Sequence, residues 1–233
     1  AQPPHEFLEL GHLLDEMRLF KDRDELKLMQ RAADISIEAH RAAMRAAKPG
    51  VHEYELQAEI ECVFRRHDAE PAYGSIVGAG DNACVLHYRA NNAQAKDGAL
   101  VLVDAGAEYR GYAADITRTF PVNGRFNKEQ RALHDLVGDA QRAALAQAQP
   151  GVPYEAGHRA AVETLTEGLL KLGLLKGGLE KNLAEGTYKR FYRHKTGHWL
   201  GLEVHDVGEY RFDGDSRLLE PGDMASPQKA VFA

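Results

Sequence analysis

Ala99-Leu-Val-Leu-Val-Asp104-Ala-Gly106 and Gly111-Tyr-Ala-Ala-Asp115-Ile-Thr-Arg-Thr-Phe-Pro121 decide the fold of this chain. The first is an apolar run of strand length and the second is rich in strand formers. Glu108-Tyr109-Arg110-Gly111 lies between them as a turn, so the pair reads as a β-hairpin. With the hairpin centred between Tyr109 and Arg110, Asp104 and Asp115 lie directly opposite each other and share one face. Like charges placed opposite in a strand pair destabilise it, and burial against Val and Leu adds a desolvation cost. A divalent cation between the carboxylates removes both penalties; an exposed acidic pair at the hairpin mouth is the alternative.

Outward from that hairpin, the 233 residues are enough to bury a substantial core, and the composition is that of a soluble globular protein. No apolar run approaches a membrane span, and Ala1-Gln-Pro-Pro-His5 lacks the layout of a signal peptide. A cytoplasmic protein with no membrane partner is expected. Cys62 and Cys84 are too few for a disulfide framework or a cysteine-type zinc site. The net charge of -6 argues against nucleic acid as a partner.

Asp22-Arg-Asp-Glu25 has capping-box spacing, and Leu26, Met29, Ala33 and Ile37 follow at helical intervals up to about Lys48, where Pro49-Gly50 ends the helix. A second helix is expected from about Tyr54 to His67, and another from Glu155 to about Leu172. His40-Arg-Ala-Ala-Met-Arg-Ala-Ala-Lys-Pro-Gly-Val51 matches Gln141-Arg-Ala-Ala-Leu-Ala-Gln-Ala-Gln-Pro-Gly-Val152 at seven of twelve positions without a gap. This suggests an internal duplication, each copy being helix, Pro-Gly-Val turn, helix. One domain with two halves is expected, about 22–124 and about 125–222, followed by a divergent tail at 223–233. A second acidic hairpin should close the second copy, but the tail is short, contains a proline and has no acidic residue after Asp223.

His194, His198 and His205 fall within twelve residues. The first two have the spacing of a helical zinc pair, but no Glu follows His194, and Gly197 and Gly201 weaken a helix, which argues against a zincin-type site. Beside two paired aspartates the three histidines point to one site.

Ile76-Val-Gly-Ala-Gly80, Asn82-Ala-Cys-Val-Leu-His87-Tyr88, the run from Val103 to Pro121 and the run from His194 to Gly208 together resemble the pita-bread metallopeptidases, and among them the aminopeptidase P group. The resemblance covers about Leu13 to Gly222. It implies an α+β pita-bread fold with an internal pseudo-twofold repeat, and Asp104, Asp115 and His198 as metal ligands. His87, His194 and His205 would be the catalytic histidines that contact substrate. It further implies two divalent ions, with manganese suited to the oxygen-rich ligand set, and cleavage of an N-terminal residue ahead of proline by a metal-bridging hydroxide. The substrate it implies is a peptide with proline at its second position. Two departures stand out: no separate N-terminal domain precedes the resemblance, and no residue matches the two glutamates that complete the family's metal site. A C-terminally truncated, impaired centre with a weak, single or absent ion is therefore expected. An exposed sheet edge and possible homo-oligomers follow from that. A prolidase, or a pita-bread module that binds without catalysis, are the rival readings.

Overall fold

The computed structural model describes residues 10–223 and 225–226. In chain order its elements are α1 (Gly11–Leu19), α2 (Arg23–Ala46), α3 (Glu53–Arg66), β1 (Glu70–Pro71), β2 (Ile76–Ala79), β3 (Leu100–Asp104), β4 (Ala107–Tyr109), β5 (Tyr112–Ala113), β6 (Thr117–Pro121), α4 (Lys128–Leu145), α5 (Glu155–Lys171), α6 (Leu179–Glu185), β7 (His198–Trp199), β8 (Arg211–Phe212), β9 (Asp215–Ser216) and β10 (Ala225–Ser226). No helix among the described residues is long and apolar enough to cross a membrane.

Helix α2 starts where its capping box predicts: the Asp22 carboxylate accepts from the Asp24 and Glu25 amides at 2.8 and 2.9 Å, and Glu25 reaches back to the Asp22 N–H. Its apolar face packs on α3 and against β4 and β5 of the sheet β1-β4-β5, while α3 lies against β2 of the antiparallel sheet β2-β3-β6. The core between them holds Ile35 and Ala39 from α2, Leu56, Ile60 and Phe64 from α3, and Val77, Val101, Val103 and Phe120 from the strands. Helices α3 and α5 begin and end within one residue of the positions expected from sequence.

The hairpin register differs from the sequence expectation. Tyr109 pairs with Tyr112 and Asp104 with Thr117, so the centre lies between Arg110 and Gly111. Both central residues have positive φ, 52° and 88°, as a two-residue type I′ turn demands. Glycine takes that conformation without cost, whereas the expected centre would have forced it on Tyr109. Asp115 therefore lies two residues nearer the turn than the partner of Asp104, on the same face. At Gly106 the two strands approach so closely that a Cβ would overlap the Ala114 carbonyl oxygen.

The second half packs α5 on α4 around Ala140, Ala144, Ala161, Val162 and Leu165. A Cβ on Gly168 would run into the Leu136 side chain, so the helices meet at glycine contact. The two Pro-Gly-Val corners close with the same backbone bonds. In the first, the Gly50 N–H donates to the Ala95 carbonyl, the Ala95 N–H to Val51 and the Glu53 N–H to Ala93 (2.8, 2.8 and 3.0 Å). In the second, the Gly151 N–H donates to Leu219, the Leu219 N–H to Val152 and the Tyr154 N–H to Arg217 (2.8, 2.9 and 2.8 Å). Where a second acidic hairpin was sought, Ala225 and Ser226 pair antiparallel with Trp199 and His198; residues 227–233 of the tail lie outside the described residues.

Candidate functional site

The end of β3 delivers Asp104 and the strand turn after β5 delivers Asp115, both buried. The Tyr73 hydroxyl sits between them, 2.7 Å from Asp104 Oδ1 and 2.9 Å from Asp115 Oδ1. It has one hydrogen, so it donates to one carboxylate at a time. Burial first, and then the two carboxylates, hold its pKa well above the usual tyrosine range, so it remains a donor. Tyr73 gave no sequence signal, being a lone aromatic between Ala72 and Gly74.

His198 enters from β7. Its Nδ1 lies 2.8 Å from the Trp199 carbonyl oxygen, which can only accept, so the ring hydrogen belongs there. In the neutral ring the Nε2 lone pair then points at Asp115 Oδ2, 2.9 Å away. Two electron-pair donors face each other comfortably only across a cation or a proton, the arrangement of a metal-ligand pair whose imidazole is oriented by a carbonyl. His205 lies beside it with ring centroids 4.1 Å apart and the ring planes tilted by 44°, and ligand atoms of Asp115, His198 and His205 all lie within 4.8 Å of one another. Buried carboxylate oxygens and imidazole nitrogens so grouped are a donor set that fits a divalent ion.

Two clefts flank this cluster, each of about 450 Å³. One is lined by Tyr73, His87, Arg89, Asp104, Asp115 and His205. The other, more apolar, is lined by Tyr154, His158, Thr196, His198, Tyr210 and Leu219. Asp115 lines the first and His198 the second, so their 2.9 Å contact joins residues of both. His87 reaches the first cleft from an exposed loop with φ of 53°. That loop is held from beneath by the buried Glu53, whose carboxylate accepts from the Ala79 and Ala93 amides, from Asn82 and from the Tyr88 hydroxyl, all within 3.0 Å.

Asp104, Asp115, His198, His205 and His87 are thus gathered at one place. His194 lines neither cleft: its Nδ1 donates to the Lys195 carbonyl at 2.9 Å, and its ring lies edge-on to Tyr192. Tyr154 and His158, not anticipated from sequence, line the second cleft. His158 contacts Thr196 Oγ1 at 2.8 Å, and burial, followed by the Lys195 charge, lowers its pKa.

Residues 27–226 match the model of metallopeptidase family M24. The Xaa-Pro aminopeptidases of Escherichia coli K12 and Haemophilus influenzae are each 43% identical to the chain, over 98% and 97% of it. The Pseudomonas aeruginosa aminopeptidase PepP structure superposes with a TM-score of 0.95 at 54% identity, covering 96% of this chain and 51% of that one. A zinc-substituted E. coli aminopeptidase P in complex with product gives 0.92 at 44% identity. The chain spans about half the length of these relatives, 52% and 53% of the two curated ones. The fold they share with it is the α+β pita-bread fold, and with a family match over most of its length the chain belongs to metallopeptidase family M24.

Proposed function

We propose that this chain carries the aspartate–histidine side of an Xaa-Pro aminopeptidase centre, with Asp104, Asp115 and His198 as ligands of a divalent metal. The observation that supports this best is the convergence of Asp115, His198 and His205 beside an Asp104 tied to Asp115 through Tyr73. Manganese is the proposed ion, because two carboxylates and one imidazole form a mainly hard ligand set. When bound there, a divalent ion supplies acidity to a coordinated water and polarises a scissile carbonyl.

The chain's own residues would do the rest. The Trp199 carbonyl orients the His198 ring, and Tyr73 holds the two carboxylates at a common point. His87 and His205, at the rim of the carboxylate cleft, are proposed to donate hydrogen bonds to the substrate carbonyl as its charge develops. His194 is assigned a catalytic role by resemblance alone. The proposed substrate is a peptide with proline second, and the proposed setting is cytoplasmic.

By itself the 233-residue chain offers three of the protein ligands that the resemblance implies. One loosely held ion and low turnover are therefore expected, because the resemblance makes one of the two unmatched glutamates the general base as well as a ligand, and loss of an acid–base group alone costs about 10²–10⁴ in rate. The test measures hydrolysis of an Xaa-Pro peptide with excess manganese against an Asp104→Asn control, with metal content after dialysis. Two tightly held ions per monomeric chain, or robust turnover that Asp104→Asn abolishes, would refute the expected impairment, and turnover that Asp104→Asn leaves unchanged would refute the metal assignment.

A further inference from the structure

His205 stands on an irregular loop whose Leu202, Glu203 and His205 are all exposed, so burial does not hold the histidine in place. The next residue, by contrast, is buried. The Asp206 side chain is 1% exposed and accepts from Lys21 Nζ at 3.2 Å, itself 1% exposed, and from Arg18 Nη2 at 2.5 Å. The Val207 N–H adds a bond to Asp206 Oδ1 at 3.1 Å, and the Asp206 N–H donates to the Trp199 carbonyl at 3.1 Å. A Cβ on Gly201 would overlap Asp206 Oδ2, so the loop backbone closes directly on the carboxylate.

A buried carboxylate with two cations is costly to desolvate and stabilises less than apolar packing of the same volume; its best-attested use is to fix register. The register fixed here is that of the residue directly before it, whose ring lies 4.1 Å from that of His198. We propose that Asp206, gripped by Arg18 and Lys21, is a positioning residue that sets His205 against His198. Helix α1 and the residues just after it, remote in sequence from the cleft, thereby control its histidine side. The significance for substrate rests on the role proposed above for His205; the placement itself does not.

The experiment reads nuclear Overhauser contacts between the ring protons of His198 and His205 in the full chain without added metal. They are expected in the unaltered chain, lost in Asp206→Asn and in Arg18→Met, and restored in Arg18→Lys, which keeps the cation. Contacts from the Trp199 ring to Tyr154 and Tyr210 should persist in all of them, since a general collapse would remove both sets. If Asp206→Asn does not fold, Arg18→Met decides, because its guanidinium is partly exposed. Ring contacts that survive both substitutions, or that are missing from the unaltered chain, overturn the proposal. Metal binding and turnover do not enter this readout, so failure here is distinct from failure of the peptidase reading.

Discussion

Glu53 and Tyr154 occupy the same place in the two Pro-Gly-Val corners, each donating its backbone N–H to the returning strand, yet their side chains have opposite chemistry. Glu53 is a polar hub: fully buried, with four donors from residues 79–93 converging on its two oxygens. Tyr154 is an aromatic hub, its ring 4.7 Å from Trp199 and 4.9 Å from Tyr210, and its buried hydroxyl has no partner among the described residues. Each hub lies against a segment bearing a histidine of the site, the loop of His87 in one case and strand β7 with His198 in the other. The backbone corner is the same in both while the means of holding the neighbouring segment differs, hydrogen bonding in one and ring packing in the other. The first hub tolerates no missing partner; the second tolerates a polar change but no loss of volume.

The largest expected effect breaks the polar hub. Glu53→Ala leaves the buried Ala79 amide and the part-buried Ala93 amide without their acceptor, at about 1–3 kcal/mol for each unsatisfied group, so a loss of roughly 2–6 kcal/mol by urea unfolding is expected. A loss under about 1 kcal/mol would show that water replaces the carboxylate and that the two hubs are not opposed.

An intermediate effect compares buried histidines in the two halves through pH. Burial, the largest cause, lowers the pKa of both His40 and His158 from the ordinary 6.5. The unfolded chain therefore takes up protons before the native state does. The stability contributed by the neutral rings is complete above about pH 6.5 and is lost as pH falls through the lowered native values. Thermal unfolding at about pH 7 and pH 5.5 should show a smaller acid loss in His40→Gln than in the unaltered chain, and a lesser change in His158→Gln, whose site is more open. An identical acid loss in His40→Gln would assign the dependence elsewhere.

The smallest effect sharpens the aromatic hub. Tyr154→Phe removes a hydroxyl that is buried without a partner and keeps the ring, so stability should stay within about 0.5 kcal/mol or rise. Urea unfolding checks it; a loss above about 1.5 kcal/mol would mean that the hydroxyl has a strong partner after all.

Local patterns made much of this legible from sequence. The capping box at Asp22 and the Pro-Gly at 49–50 bounded α2 because both are local devices with steric causes. The hairpin was recognisable but its register was not, because the alternation of strand residues is unchanged when the centre moves by one; only the need for positive φ at Arg110 and Gly111 selects it. Asp104 and Asp115 were legible as a pair because like charges on adjoining strands demand explanation. Tyr73, Glu53 and Tyr154 were not, since each acts through contacts 15 or more residues away, of which a single sequence carries no trace. His194 is close to His198 in sequence, yet its ring lies edge-on to Tyr192 and it lines neither cleft.

The two sides of the cleft also differ in time. Asp104 and Asp115 belong to one hairpin, and hairpins form in about 1–10 μs once their residues exist. Asp206 is 188 residues beyond Arg18, its partner on α1. At roughly 5–20 residues added per second, a ribosome reaches Asp206 about 10–40 s after it has made Arg18. For that interval the carboxylate wall can stand complete while the histidine wall has not yet been synthesised, and the cations of α1 remain in water. Closing so long a loop adds entropy cost only slowly with length, but it must come last. The order of synthesis thus gives the molecule a natural sequence of assembly, in which the acidic wall is built first and the site is shut when Asp206 reaches the cations at and just after α1.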